Sequence, residues 1–93
     1  MTNVIFSQHA LQQMFKRGIS IGEIKYAVEK GEMIRHYPDD KPYPSKLFLV
    51  FIKKVPLHVI VAEKINDQKV ELIIITAYRP DKLVWKEDFK TRR

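Results

Sequence analysis

The chain has 93 residues, 45% apolar and 30% charged, and its seventeen Lys and Arg against eleven Asp and Glu leave a formal charge of +6. That length supports one domain with one modest core and excludes a second lobe or a substrate lid, while the basic balance makes polyanions plausible partners. With no cysteine there is no disulfide, thiolate zinc site or cysteine nucleophile, a usage compatible with a reducing cytoplasm.

Residues 1–6 lack both the basic stretch and the long apolar stretch of a secretory signal. No apolar run is long enough to span a bilayer, so a cytoplasmic protein without membrane contact is expected. Ser7 can cap a helix over residues 8–17, with Ala10, Leu11, Met14 and Phe15 as its apolar stripe and Gly18 just beyond its end. Ser20 with Glu23 forms a capping box for a second helix, and Ile19 with Ile24 has the spacing of a hydrophobic staple. This helix should run to Lys30, stop at Gly31 and bury Ile21, Ile24, Ala27 and Val28. Three residues separate the helices, which predicts a helical hairpin or corner.

Beyond Gly31 the period becomes extended. Residues 33–37 read as a short first strand, and the three prolines of 38–44 make a loop, with Asp39 and Asp40 as turn formers. Residues 46–53, 56–64 and 69–78 read as three further strands with tight turns at Lys53-Lys54 and Asn66-Asp67. Pro80-Asp81 ends the sheet. Residues 82–93 read as a short helix or basic tail in which Trp85 and Phe89 pack back. The expected architecture is one α+β domain over 1–93, with two N-terminal helices packed on a four-stranded antiparallel sheet.

His58 stands out because it lies inside the apolar run 55–61, where packing gives an imidazole no reason to be. The neighbouring run 72–75 ends in Thr76-Ala77-Tyr78-Arg79, a hydroxyl, a phenol and a guanidinium at one strand end. A two-residue Asn66-Asp67 turn would set His58 opposite Ile75 and turn Thr76 and Tyr78 to the other side of the sheet. A three-residue turn through Gln68 would place His58 beside Thr76. On the first helix His9, Gln13, Lys16 and Arg17 share one face, either a solvated surface or a phosphate-capturing one. Structural readings stand beside each: a hydrogen-bonded core histidine for His58 and a strand-end aromatic for Tyr78. The separation of His9, His36 and His58 argues against a metal site, and there is neither a glycine-rich phosphate loop nor a nucleophile elbow. No cofactor is expected.

Phe6-Ser7-Gln8-His9-Ala10, Met14, Lys16-Arg17-Gly18-Ile19-Ser20, Gly31-Glu32, Pro56-Leu57-His58-Val59 and Ile75-Thr76-Ala77-Tyr78-Arg79-Pro80 followed by Trp85 resemble a family of small prokaryotic domains, domain of unknown function 4258. That family in turn resembles the barnase-like, colicin-like and RelE-like folds, many of whose members are metal-independent ribonucleases of toxin systems. The resemblance implies a RelE- or barnase-like arrangement and singles out His9, Arg17, His58, Thr76 and Tyr78 as catalytic positions, with Lys16, Arg35 and Arg79 as RNA-binding cations. It implies His58 as base or acid with His9 as its partner, Arg17 as a phosphate clamp and Tyr78 as a nucleotide-positioning or proton-supplying group. The chain departs from RelE-like toxins in lacking their dense run of arginines and lysines at the sheet.

Two functions follow as expectations. One is a metal-independent endoribonuclease of toxin type that cleaves by 2′-hydroxyl attack and is held in check by an antitoxin-like protein. The other is a non-enzymatic module that binds RNA or protein, and an exposed edge strand could pair with an inhibitor or a second copy. A third, bland reading is a structural accessory domain with His58 simply hydrogen-bonded in place. Cleavage requires His58 and at least one of His9, Arg17 or Tyr78 within reach of one phosphate. Side chains of His58 and Arg17 on different faces would argue against it.

Overall fold

The computed structural model describes residues 2–93. The elements in chain order are β1 (Thr2–Phe6), α1 (Gln8–Arg17), α2 (Ile21–Lys30), β2 (Glu32–Tyr37), β3 (Ser45–Ile52), β4 (Val55–Asn66) and β5 (Lys69–Tyr78). Both helices begin where their caps predict. The Ser7 hydroxyl accepts from the Ala10 amide at 3.0 Å, and Ser20 and Glu23 close a reciprocal capping box. Gly18 ends α1 in the left-handed conformation, at φ 65°, where a side chain would be strained.

The sheet corrects the expected four-stranded antiparallel arrangement. It has five strands in the order β1-β5-β4-β3-β2 and is mixed, because β1 pairs parallel with β5, Thr2 opposite Val70 through Phe6 opposite Ile74. A parallel pairing leaves no hairpin turn in the sequence, and β1 is only five residues long, so its local signal is weak. The fold remains α+β. Residues 82–93 form no helix; they fold through turns closed by a bridge between Trp85 and Arg92. Among the described residues, no helix is long and apolar enough to cross a membrane.

Two apolar layers cover the two faces of the sheet. On the helical face Ala10, Met14, Ile19, Ile24 and Ala27 pack on Val50, Leu57, Val59, Val61, Ile74 and Ala77. Fully burying side chains such as Ile24, Leu57 and Ile74 contributes on the order of 1.5–3 kcal/mol each. On the opposite face Trp85 and Phe89 pack on Leu47 and Leu49, with Ile34, Tyr37 and Ile60 at the margin. The helices bury less than their apolar patterns predict: Leu11, Phe15 and Ile21 are 42%, 90% and 48% exposed.

Neither register expected between the last two strands occurs. The turn residues are Asp67 and Gln68, and Asn66 pairs with Lys69. Ile60 pairs with Thr76 while Val61 pairs with Ile74, so Ile75 is an extra, unpaired residue, a bulge that shifts the rest of β5 by one position. His58 consequently stands directly opposite Tyr78. The β3–β4 connection is a two-residue turn in which Lys53 and Lys54 both have left-handed backbones, at φ 51° and 69°. That conformation costs a residue with a side chain roughly 1–2 kcal/mol, which is why Asn-Gly is the usual choice there.

Candidate functional site

Strand alternation turns Leu57 and Val59 toward the helices and His58 toward the other face. There its strand neighbours are Leu49 on β3 and Tyr78 on β5. The C-terminal segment closes over it and leaves the imidazole with no exposed surface. The Trp85 indole meets the imidazole edge-on, with ring centres 4.6 Å apart, and the Tyr78 ring does the same at 5.2 Å.

Both imidazole nitrogens have partners. Nε2 lies 2.8 Å from the Phe89 carbonyl and Nδ1 lies 3.2 Å from the Tyr78 hydroxyl. A carbonyl can only accept, so Nε2 carries the proton. Burial lowers the His58 pKa below the ordinary 6.5, and the Phe89 carbonyl opposes this to a smaller degree. The ring is therefore neutral, and Nδ1 accepts from the Tyr78 hydroxyl. Burial likewise raises the Tyr78 pKa, joined by the neighbouring Tyr37 and opposed by the Arg92 guanidinium.

Above this buried pair lies a basic surface. Arg35 on β2 stands 5.9 Å from the centre of the Trp85 indole and Arg92 stands 5.4 Å from it, within cation–π range. The ion pairs among the described residues are Lys46 with Glu63, Arg79 with Glu23 and Lys90 with Glu32. Arg35 and Arg92 take part in none of them, which leaves two planar donor forks free for a phosphate or carboxylate. The Lys90–Glu32 pair, at 3.0 Å, fastens the segment to β2 beside them.

The other residues singled out by sequence fall into separate groups. Arg17 comes from the helical side and donates to the Ala77 carbonyl at 2.7 Å and to the Thr76 hydroxyl at 3.4 Å. It binds β5 beyond the last residue that β1 pairs. Arg79 donates to the Arg17 carbonyl and to Glu23, so Arg17, Thr76 and Arg79 knit the end of α1 and the start of α2 to the end of β5. His9 and Lys16 lie exposed on α1, and among the described residues neither is hydrogen-bonded to His58, Tyr78 or Arg17. The structure thus brings His58 and Tyr78 together, with Arg35 nearby, leaves His9 exposed on α1, and sets the Arg17 guanidinium at the edge of β5, on the Ala77 carbonyl and the Thr76 hydroxyl.

Tyr37, Phe89 and Arg92 belong to this site although sequence reasoning does not single them out as functional. The packing of Trp85 and Phe89 is legible from their apolar spacing in a basic tail, but the role of the Phe89 backbone carbonyl has no sequence signature. Arg92 has none either, being one cation among several.

No curated protein matches the chain. Over residues 6–79, from the last residue of β1 to just past the end of β5, it matches the family described as domain of unknown function (DUF4258), and the chain belongs to that family.

Proposed function

We propose that the protein binds RNA by its backbone phosphates at the surface around Trp85, with His58 as the buried positioning residue beneath. The observation that carries this reading is the placement of Arg35 and Arg92 on one indole with no carboxylate partner among the described residues. Each guanidinium keeps donor edges that a phosphate can accept in paired hydrogen bonds. The net charge of +6 favours encounter with a polyanion. The resemblance to ribonuclease folds makes RNA the occupant to test first.

The test is fluorescence anisotropy of a labelled single-stranded RNA across a salt series. Arg35→Ala and Arg92→Ala should each weaken binding and lower the slope of log affinity against log salt by about 0.7 for each phosphate that is no longer neutralised. Unchanged affinity and slope in both variants would overturn the reading.

Metal-independent cleavage is the second reading, favoured by the continuous chain from the Tyr78 hydroxyl through His58 to the Phe89 carbonyl. In that reaction the Tyr78 oxygen takes the 2′-hydroxyl proton as its own passes to Nδ1. The 2′-oxygen attacks phosphorus, the bond to the 5′-oxygen breaks, and that oxygen takes a proton from a water whose hydroxide is neutralised by the proton on Nδ1, relayed back through the Tyr78 hydroxyl. The burial that lowers the pKa of His58 opposes its charging, and the Arg17 guanidinium is already engaged at the edge of β5, so binding is the first reading. Incubation with RNA in chelator separates the readings: cleavage requires cyclic-phosphate and 5′-hydroxyl ends that disappear in Tyr78→Phe. Intact RNA retained by the wild-type protein leaves binding alone. An inhibitor protein of antitoxin type would fit the same scheme by adding a strand to an outer edge of the sheet, at β1 or β2.

A further inference from the structure

At the end of the sheet, away from Trp85, the β3–β4 turn and the first turn of α2 bound a cleft of about 460 Å³ lined by Arg79, Glu23, Lys53, Pro56 and Leu57. A second hollow, of about 410 Å³, shares Ser20, Glu23, Ile52 and Lys53 with it and adds Tyr26 and Phe51. The two hollows adjoin, with cations along one part and the half-exposed ring of Tyr26, 48% accessible, along the other.

We propose that this groove holds one nucleotide of a single-stranded RNA, its base against Tyr26 and its phosphate on Lys53 and Arg79. The inference rests on the RNA reading and adds to it a second contact and a preference for unpaired strands. Three observations carry it. Lys53 and Lys54 keep left-handed backbones at φ 51° and 69° although both are exposed, so no packing demand explains why the strained turn retains two lysines. Glu23, the carboxylate in the groove, is already held by the Ser20 amide at 2.9 Å and by Arg79 at 3.4 Å. Lys53 has no ion-pair partner among the described residues, and a basic wall beside an open aromatic ring is an arrangement that takes up unstacked bases and their phosphates. A duplex buries the faces of its bases and cannot offer them to Tyr26.

The Phe51 side chain lies on the Trp85 face of the sheet, with Leu47 and Leu49. Phe51 meets Phe89 edge-on, ring centres 6.2 Å apart, and the Phe89 carbonyl holds His58.

The experiment compares labelled octauridylate with an RNA hairpin duplex of similar length, with anisotropy for affinity and Trp85 emission as a separate readout. The chain has one tryptophan, so its emission reports the Trp85 surface alone. Tyr26→Leu and Lys53→Gln should each weaken octauridylate roughly tenfold while leaving the emission change at saturation intact. Tyr26→Phe, which keeps the ring, should stay within about twofold of wild type. Wild-type affinity in Tyr26→Leu, or duplex binding as tight as octauridylate, overturns the groove. If Arg35→Ala still weakens binding in that case, the Trp85 reading stands without it. Absence of RNA binding by the wild-type protein overturns both.

Discussion

The Nε2 of His58 donates to the carbonyl of Phe89 at 2.8 Å across 31 positions of sequence. That bond closes the C-terminal segment onto the sheet. The segment has its own local order: Trp85 donates to the Asp81 carbonyl, Lys86 to Thr91 and Arg93 to Val84. Asp88 receives the amides of Lys90 and Thr91. Its attachments to the rest of the molecule include the burial of Trp85 and Phe89, the Arg35 guanidinium over the Trp85 indole, the Lys90–Glu32 pair and this hydrogen bond to a histidine in β4.

Replacing His58 with Ala should therefore do more than delete one hydrogen bond. It leaves a cavity under Trp85 and strips the Phe89 carbonyl of its donor, a combined cost of about 2–4 kcal/mol in urea unfolding. Tyr78→Phe keeps the ring and removes only the hydroxyl bond to Nδ1, so it should cost about 1 kcal/mol. Amide exchange at Lys86 and Arg93 should speed up in His58→Ala relative to amides in β4. A destabilisation below about 1 kcal/mol in His58→Ala would mean that the segment does not depend on the imidazole.

The same burial fixes a pH dependence. The folded His58 pKa lies below the unfolded value of 6.5, so the unfolded chain binds a proton first as pH falls. The stability contributed by the neutral ring is complete above 6.5 and is lost as pH drops from there toward the lowered folded pKa, with a limiting slope near 1.4 kcal/mol per pH unit, about one proton's worth. Melting curves at about pH 7.5 and about pH 5 should show a larger drop for the wild-type protein than for His58→Gln, which cannot titrate. Equal drops would show that the change comes from other groups.

Arg17 acts at the edge of β5 as a clasp. Its bonds to the Ala77 carbonyl and Thr76 hydroxyl hold the end of α1 against the part of β5 that β1 does not reach. Since Arg17 is exposed, solvent weakens this tie, and Arg17→Ala should lower stability by about 1 kcal/mol. Trp85 emission on RNA binding should be unchanged in that variant. Disappearance of the emission change would place Arg17 in the RNA interface instead.

The helices are legible in the sequence because their signals are local: Ser7, Gly18, Ser20, Glu23 and Gly31 are caps and stops within a few residues of the bonds they make. The hairpins are legible for the same reason, through Lys53-Lys54 and the polar turn near Asp67. What escapes is non-local. β1 pairs with a strand more than sixty positions away, and no turn residue announces it. The bulge at Ile75 lies in an unbroken apolar run, where no glycine or polar residue marks the extra position, yet it decides that His58 faces Tyr78. His58 and Tyr78 can be named from chemistry alone, whereas grouping them with Arg17 and His9 requires knowing which side of the sheet each occupies.

The Lys53-Lys54 turn sets stability against binding in a single hairpin. Both lysines hold left-handed backbones, and Asn at the first position with Gly at the second relieves that strain. The double variant Lys53→Asn, Lys54→Gly should be more stable than the wild-type protein by about 1 kcal/mol or more in urea unfolding, since glycine enters the left-handed region without a side-chain penalty. It should at the same time bind octauridylate more weakly, because the cation on the groove wall is gone. A gain in stability with unchanged affinity would leave the lysines as an unexplained strain and remove the groove from the RNA path. A decrease in both would indicate that the lysine side chains support the hairpin itself, a role for which the exposed turn gives them no ion-pair partner among the described residues.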